Sequence, residues 1–365
     1  MSGMGKVESA RNVEYSYIRS GPPPRLRWNG GKMPGIGVIT NQRARMHKLY
    51  PRLKNRLSFI VGRGGDVAAT RSLDDAERAM QEFRDAEVDI LAISGGDGTA
   101  HRTIEIMLKV YAGAAPPPIL LLPSGTQNMV PASFGIRRGS TATLLATIAR
   151  YRHNVPIPVI RRNVLKVNEH FSFMFSLGVA PRFLEKYYAG RTTPAGAAQL
   201  LASYALDGIR HGQRSAALFA RSEGEMRVDS GRAQPINIAA LFCSFVEELA
   251  LRFRLFPRAG WDVNVFESVL VHGTPLQVAR ALPWLWAGSR RPLSGIQRFL
   301  ASEIDLVLEN PEVYTLDGEV YPATRHFSIS AGPELRFVVP GFRFRRIDRR
   351  LRTDRIGPWE MRYLV

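Results

Sequence analysis

The chain is 365 residues long, 45% hydrophobic and 22% charged, which excludes a disordered polymer and leaves room for about two globular units. Its net charge of +18 implies anionic partners, whether phosphorylated small molecules, an acidic membrane surface or nucleic acid, with solubility alone as the bland alternative. One cysteine, Cys243, excludes an internal disulfide and a cysteine-built zinc site, and no apolar run approaches the roughly 18 residues of a spanning helix.

Residues 1–34 are polar, rich in Gly and Pro, and lack the apolar centre of a secretory signal, so they read as a mobile tail. Residues 35–41 (GIGVITN) predict a first strand and 57–63 (LSFIVGR) a second. Residues 72–87 predict a helix, capped by Ser72 with Asp75 three residues on and an apolar face of Leu73, Ala76, Met80 and Phe83. Asp89–Ser94 is apolar throughout, as a strand covered on both faces requires, and a helix follows it. Residues 116–123 predict a fourth strand and 141–151 a further helix. Strands alternating with helices imply a doubly wound, mostly parallel α/β unit over residues 35–152, with its ligand beyond the carboxyl ends of the strands.

From residue 153 the texture changes to strand-like segments with alternating residues, among them 214–220 (RSAALFA), 236–246 and 314–323. Helices near 195–211 and 275–287 interrupt them. Residues 153–340 therefore predict a larger β-rich, sandwich-like second unit. Trp284 and Trp286 fit either the core or a lipid-facing patch, and core is the reading favoured. Residues 341–365 form a basic segment with interleaved aromatics, suited equally to a membrane interface and to packing back on the fold.

Three short motifs carry chemistry. In GGDGT, Gly95 to Thr99, Gly95, Gly96 and Gly98 let backbone N–H groups approach an anion, at the positive end of a helix. Thr99 adds a hydroxyl, and Asp97 suits a magnesium ion or the loop itself; a plain turn is the bland alternative. PSGTQN repeats the logic at the next strand end through Ser124, Gly125, Thr126 and Asn128. In LDGE, Asp317 and Gly318 make an ordinary hairpin signal, the reading the residues alone favour. As the functional alternative, Asp317 is a general base supported by Glu319. The histidines show no metal-ligand spacing; His101, next to the glycine loop, could reach a phosphate, but the residues favour a partly exposed helix position.

These motifs, in this order, resemble the diacylglycerol kinase catalytic family, which includes bacterial lipid kinases, sphingosine kinases and ceramide kinases. The resemblance runs from about Gly35 to Pro340. GVITN is similar to the family's first strand, with Asn41 at its nucleotide loop, and Thr70 in ATRSLDDA matches a nucleotide-contacting threonine. FSLGVA resembles the opening of the family's second domain, and LDGE its catalytic Asp-Gly-Glu. The resemblance implies ATP and Mg2+, a cleft between a nucleotide domain and a lipid domain, and a final stretch that returns to the first domain. It also implies phosphorylation of a lipid hydroxyl of diacylglycerol, sphingoid-base or ceramide type. The partner expected is then a lipid at an anionic membrane surface rather than nucleic acid, and the location cytoplasmic and peripheral to a membrane. The sequence departs from the family at Gln42, His101, Arg102 and Met129, and only Asp262 remains of an acidic pair. An NAD kinase-like enzyme, or a weakened nucleotide- or membrane-binding relative, is the alternative.

Overall fold

The structure is a computed structural model that describes residues 17–18, 35–41, 53–62, 65–125, 128–136, 139–153, 157–190, 193–260, 262 and 264–339. The first of its strands, β1 (Tyr17–Ile18), pairs antiparallel with residues 157–158. The rest of the expected N-terminal tail and all of the basic segment 341–365 lie outside the described residues.

The α/β half is built in chain order. It runs β2 (Ile36–Asn41), α1 (Leu53–Val61), β3 (Gly65–Thr70), α2 (Leu73–Asp85), β4 (Ile90–Gly95), α3 (Asp97–Val110), β5 (Ile119–Pro123), α4 (Met129–Ser133) and α5 (Ser140–Arg152). The strands lie parallel in the order β5-β4-β2-β3. Each face of β4 feeds a different core. Leu91 and Ile93 join the α2 and α3 residues Met80, Phe83, Ile104 and Met107. Ile90 and Ala92 join Leu57 and Val61 of α1 and Leu144 and Ile148 of α5. That two-sided burial is why β4 carries no polar alternation. The Ser72–Asp75 capping box forms as expected, although Leu73 faces solvent and Ala79 takes its place on the buried face.

Two sequence readings are corrected. Residues 57–61 belong to helix α1, and the second strand is 65–70. Leu57 and Val61 are four apart and face inward together, while Phe59 between them is 88% exposed, a helical pattern that a short apolar run conceals. Its strand neighbour β3 is an edge strand of Gly, Asp, Val and Ala, too poor in large apolar residues to announce itself. Likewise 213–218 is helical.

The second half continues with β6 (Ile157–Val167), β7 (His170–Ser172), β8 (Met174–Gly178), α6 (Val179–Tyr188), α7 (Pro194–Ile209) and α8 (Gln213–Leu218). There follow β9 (Ser222–Val228), β10 (Gln234–Ile238), β11 (Ala240–Ser244), β12 (Phe266–Val271), α9 (Pro275–Trp286), β13 (Ile296–Ala301), β14 (Glu303–Leu316) and β15 (Glu319–Val338). Apart from the β15–β5 pair, its ladders are antiparallel. Strand β14 uses Ile304–Leu308 against β9 and Tyr314–Leu316 against β8, with irregular register between. At its far end β15 turns parallel to β5, pairing Phe337 with Ile119. The two halves are thus joined in one large mixed sheet of a mixed α/β fold. Cys243 is buried in β11, and burial pushes its thiol up to about 12. Trp284 and Trp286, read as core from sequence, are exposed at the end of α9, because Ala281 and Leu285 take the inward positions.

Candidate active site

The carboxyl ends of β2, β4 and β5 open onto a crevice of about 440 Å3. Asn41, Thr70, Gly96, Gly98, Thr99 and Gly125 line it, as expected, together with Arg71, Ser72 and Arg102. It sits where β2 and β4 lie side by side while the chain leaves them in opposite directions, the usual ligand position in such sheets. Asn41 donates from Nδ2 to Thr99 Oγ1 at 3.1 Å, so the first strand and the glycine corner are tied together. The Thr70 hydroxyl donates to the Thr40 carbonyl at 3.4 Å. The two glycine loops touch backbone to backbone: a Cβ on Gly125 would stand 2.4 Å from Gly96 Cα. Only glycines allow that approach. Helix α3 starts at this contact, and no side chain caps its first turn. Its leading N–H groups are therefore directed at the crevice, where an anion is favoured.

The other expected residues divide. Asn128, with φ of 50°, closes its loop by accepting from Gly125 N at 2.8 Å and donating to Gly125 O at 2.9 Å. Ser124 is buried and turns away from the crevice toward the hydroxyls of Ser94 and Ser140, so it serves the loop and not a ligand. Gly95 lies behind Thr99 at the end of β4. Thr126 lies outside the described residues. Asp97 accepts N–H from Met129 at 3.0 Å on one oxygen and from Val130 at 3.1 Å on the other, holding the start of α4. Burial raises its pKa; those two N–H bonds oppose the rise, and the Asp317 charge adds to it. Each Asp97 oxygen keeps a lone pair beyond that bond, so the anchoring of α4 leaves the carboxylate able to accept a further partner. Among the described residues no group of three or more His, Cys, Asp or Glu side chains is arranged to hold a metal ion.

The LDGE motif is a hairpin, and the turn itself delivers the acid. Asp317 and Gly318 both have positive φ, 50° and 87°, between the paired residues Leu316 and Glu319. The Asp317 carboxylate points back into the molecule. There it accepts N–H from Met174 at 2.9 Å and Phe173 at 3.1 Å. The hairpin and catalytic readings are therefore compatible. Glu319, the next side chain, crosses to the first motif, its Oε1 lying 2.4 Å from where a Cβ of Gly98 would be.

Sequence reasoning missed His101. Far from partly exposed, it is 1% exposed, with Nδ1 3.1 Å from Asp317 Oδ2 and Nε2 2.9 Å from the Tyr321 hydroxyl. The signal was present: Asp97, His101 and Glu105 recur every four residues along one face of α3. Arg102 pairs with Glu105 at 3.1 Å and lies over the Tyr321 ring at 5.1 Å.

A second cavity, about 680 Å3, opens on the other side of this corner. Its walls are apolar, from Phe183, Leu201, Phe242, Leu255, Val278 and Leu282 among others, and its polar end is Asp97, Gly98, Asp317 and Glu319. Gly98 and Glu319 line both cavities. The molecule thus brings a polar crevice suited to phosphates and an apolar chamber to one point, with a buried carboxylate beside it. Asp262 is exposed and borders neither.

Part of the sequence, and the fold, are similar to known proteins. Residues 36–160 match the family model of the diacylglycerol kinase catalytic domain. A structure described as a diacylglycerol kinase from Bacillus anthracis strain Sterne is 15% identical over 84% of this chain and 97% of its own, with a TM-score of 0.56. Another from that strain, described as a candidate diacylglycerol kinase, is 17% identical with the same coverage and a TM-score of 0.61. At such identity the structural likeness carries the fold. No curated protein matches the chain.

Proposed function

We propose, for a chain that carries a diacylglycerol kinase catalytic domain over residues 36–160, that it is an ATP-dependent lipid kinase acting on a hydroxyl of a diacylglycerol, sphingoid base or ceramide-type lipid. The observation that carries this reading is the junction at Gly98 and Glu319, where the polar crevice and the apolar cavity meet beside Asp317. An NAD kinase-like enzyme has no use for a large apolar chamber at that point.

Phosphoryl transfer asks a protein mainly to position its reactants and stabilise charge. The glycine loops offer backbone N–H groups to the triphosphate of ATP, and Arg71 and Arg102 bring positive charge to the same crevice. The lipid tail occupies the apolar cavity with its hydroxyl at the polar end. As the acceptor oxygen attacks the γ-phosphorus, its proton passes to the Asp317 carboxylate, the new O–P bond forms and the β–γ bridge breaks to release ADP. Glu319 spans the gap between the cavities and orients the acceptor. Magnesium would be held chiefly by phosphate oxygens and water, since the described residues build no cage for it, and it would neutralise phosphate charge.

The same reading has the enzyme working at an anionic membrane surface. Exposed Leu206 and Ile209 on α7 and Trp284 and Trp286 on α9 belong to helices whose other faces line the apolar cavity. Arg291 lies 3.6 Å over the Trp284 ring, and no acid occurs between Glu267 and Glu303. Among the described residues no helix is long and apolar enough to cross a membrane.

Labelled ATP offered with a panel of lipid acceptors tests the proposal. Asp317→Asn should lower turnover roughly 100- to 10,000-fold, the usual worth of a general base, while ATP binding persists. Unchanged turnover would remove Asp317 from that role, and label appearing in NADP instead of lipid would remove the lipid kinase reading.

A further inference from the structure

We propose that His101 is a positioning residue of phosphoryl transfer: as the neutral Nδ1–H tautomer it holds the Asp317 carboxylate ready to take the acceptor's proton, and on protonation it disables it. This rests on the lipid kinase reading and adds a residue and a pH dependence to it.

The geometry dictates the tautomer. An ionised carboxylate only accepts hydrogen bonds, so the 3.1 Å contact between His101 Nδ1 and Asp317 Oδ2 requires a proton on Nδ1. In the neutral ring Nε2 is then a lone-pair acceptor, and the Tyr321 hydroxyl 2.9 Å away is placed to donate to it. Burial, and then the Glu105 charge, push the Tyr321 pKa up, so that hydroxyl keeps its proton. Both ring nitrogens are satisfied with the imidazole neutral, and the ring is locked edge-on to Tyr321, their centroids 6.3 Å apart at 84°. On Asp317 itself, the backbone N–H groups of Phe173 and Met174 fix Oδ1, and His101 fixes Oδ2. Removing His101 leaves Oδ2 with only the shared, 3.1 Å bond from Phe173 N. Because His101 stands one turn beyond Asp97 on α3, it also couples the helix bearing the glycine loop to the hairpin bearing the base.

Protonation reverses this. A second proton on Nε2 ends its acceptance from Tyr321 and turns the contact with Asp317 into an ion pair. That ion pair stabilises the ionised carboxylate and so weakens it as a proton acceptor. The groups facing the ring from every side are Asp317 on the hairpin, Tyr321 on β15, and Glu105, 3.7 Å from Nε2, on α3. Behind Glu105 stand Arg102 at 3.1 Å and His170 of β7 at 3.1 Å. Activity should therefore fall as pH drops through the His101 titration.

Two measurements on the full chain test this. In 15N spectra of the histidine rings, neutral His101 should be the Nδ1–H tautomer, and Asp317→Asn should alter its titration; an Nε2–H tautomer in the unmodified protein overturns the proposal whatever the activity. In kinetics, His101→Leu should lower kcat roughly tenfold or more with KM for ATP little changed. His101→Asn keeps a donor but cannot titrate, so it should recover most of that loss and lack the acid limb that follows the His101 titration. Equal kcat in all three proteins, or the same acid limb in His101→Asn, overturns the inference while leaving the kinase reading intact. No ATP-dependent turnover of any lipid by the unmodified protein overturns both.

Discussion

Single residues decide how the two glycine loops meet. Gly125 and Gly96 approach so closely that a methyl group on Gly125 would collide with main chain, which cannot swing aside. We expect Gly125→Ala to cost about 1–3 kcal/mol of stability, as overpacking does, and to weaken ATP binding. At Gly98 the obstacle is only the tip of the Glu319 side chain, and alanine suits a helix better than glycine by about 1 kcal/mol. Gly98→Ala should therefore melt near the unmodified protein while turnover falls through a displaced Glu319. Melting curves paired with assays check the contrast, and equal destabilisation of the two variants would refute it. The glycines were legible from sequence because a run of three in five residues has few uses. The difference between them was not, because it depends on which residue from elsewhere in the chain stands opposite.

At the scale of elements, helix and strand identity followed from pattern wherever the pattern was long. Ser72 and Asp75 announced α2, and the unbroken apolar run announced β4. Short runs failed: α1 and α8 were both read as strands, since five or six apolar residues satisfy either period. Connections between elements carry their own energetics. Just beyond β11, Glu247 is buried beside Arg254 at 2.9 Å; burial pushes its pKa up to about 7 from the ordinary 4.5, with Arg254 opposing. A raised acid binds its proton more tightly in the folded state. Its contribution to stability is complete below about pH 4.5 and is lost as pH rises through about 7, by about 3 kcal/mol at most. Glu267 and Asp97, also raised by burial, act in the same direction. Melting temperature followed from pH 5 to 8 should thus decline, and less steeply in Glu247→Gln; parallel curves would exclude the effect.

At the scale of the whole molecule, the return of β15 to β5 joins the halves, with Arg336 donating to the Pro116 carbonyl at 2.9 Å beside the junction. This places the polar crevice and the apolar cavity against one another and leaves α7 and α9 as the outer wall of that cavity. The surface of that wall combines exposed tryptophans with arginines of α9 and the segment after it, so binding to anionic vesicles should weaken in Trp286→Ala and in raised salt. Sedimentation with vesicles rich in phosphatidylglycerol, against neutral ones, measures it. Equal binding to both vesicle types would exclude this surface as an electrostatic docking face. Trp286 is more than half exposed, so its loss should leave the melting curve unchanged.

The sequence by itself determined the doubly wound alternation, the two glycine loops, the capped helix before them and the Asp-Gly turn. Each is a contiguous pattern whose physics is local: backbone freedom, period and capping. Only the tertiary structure decided that the turn aims its carboxylate inward, that Asp97 anchors α4, and that His101 meets Asp317 across 216 residues of chain. Those contacts follow from the register of β14 on β8 and from the packing of α3 against β7. Neither leaves a signature in adjacent residues, because what brings the partners together is the closing of the sheet around them.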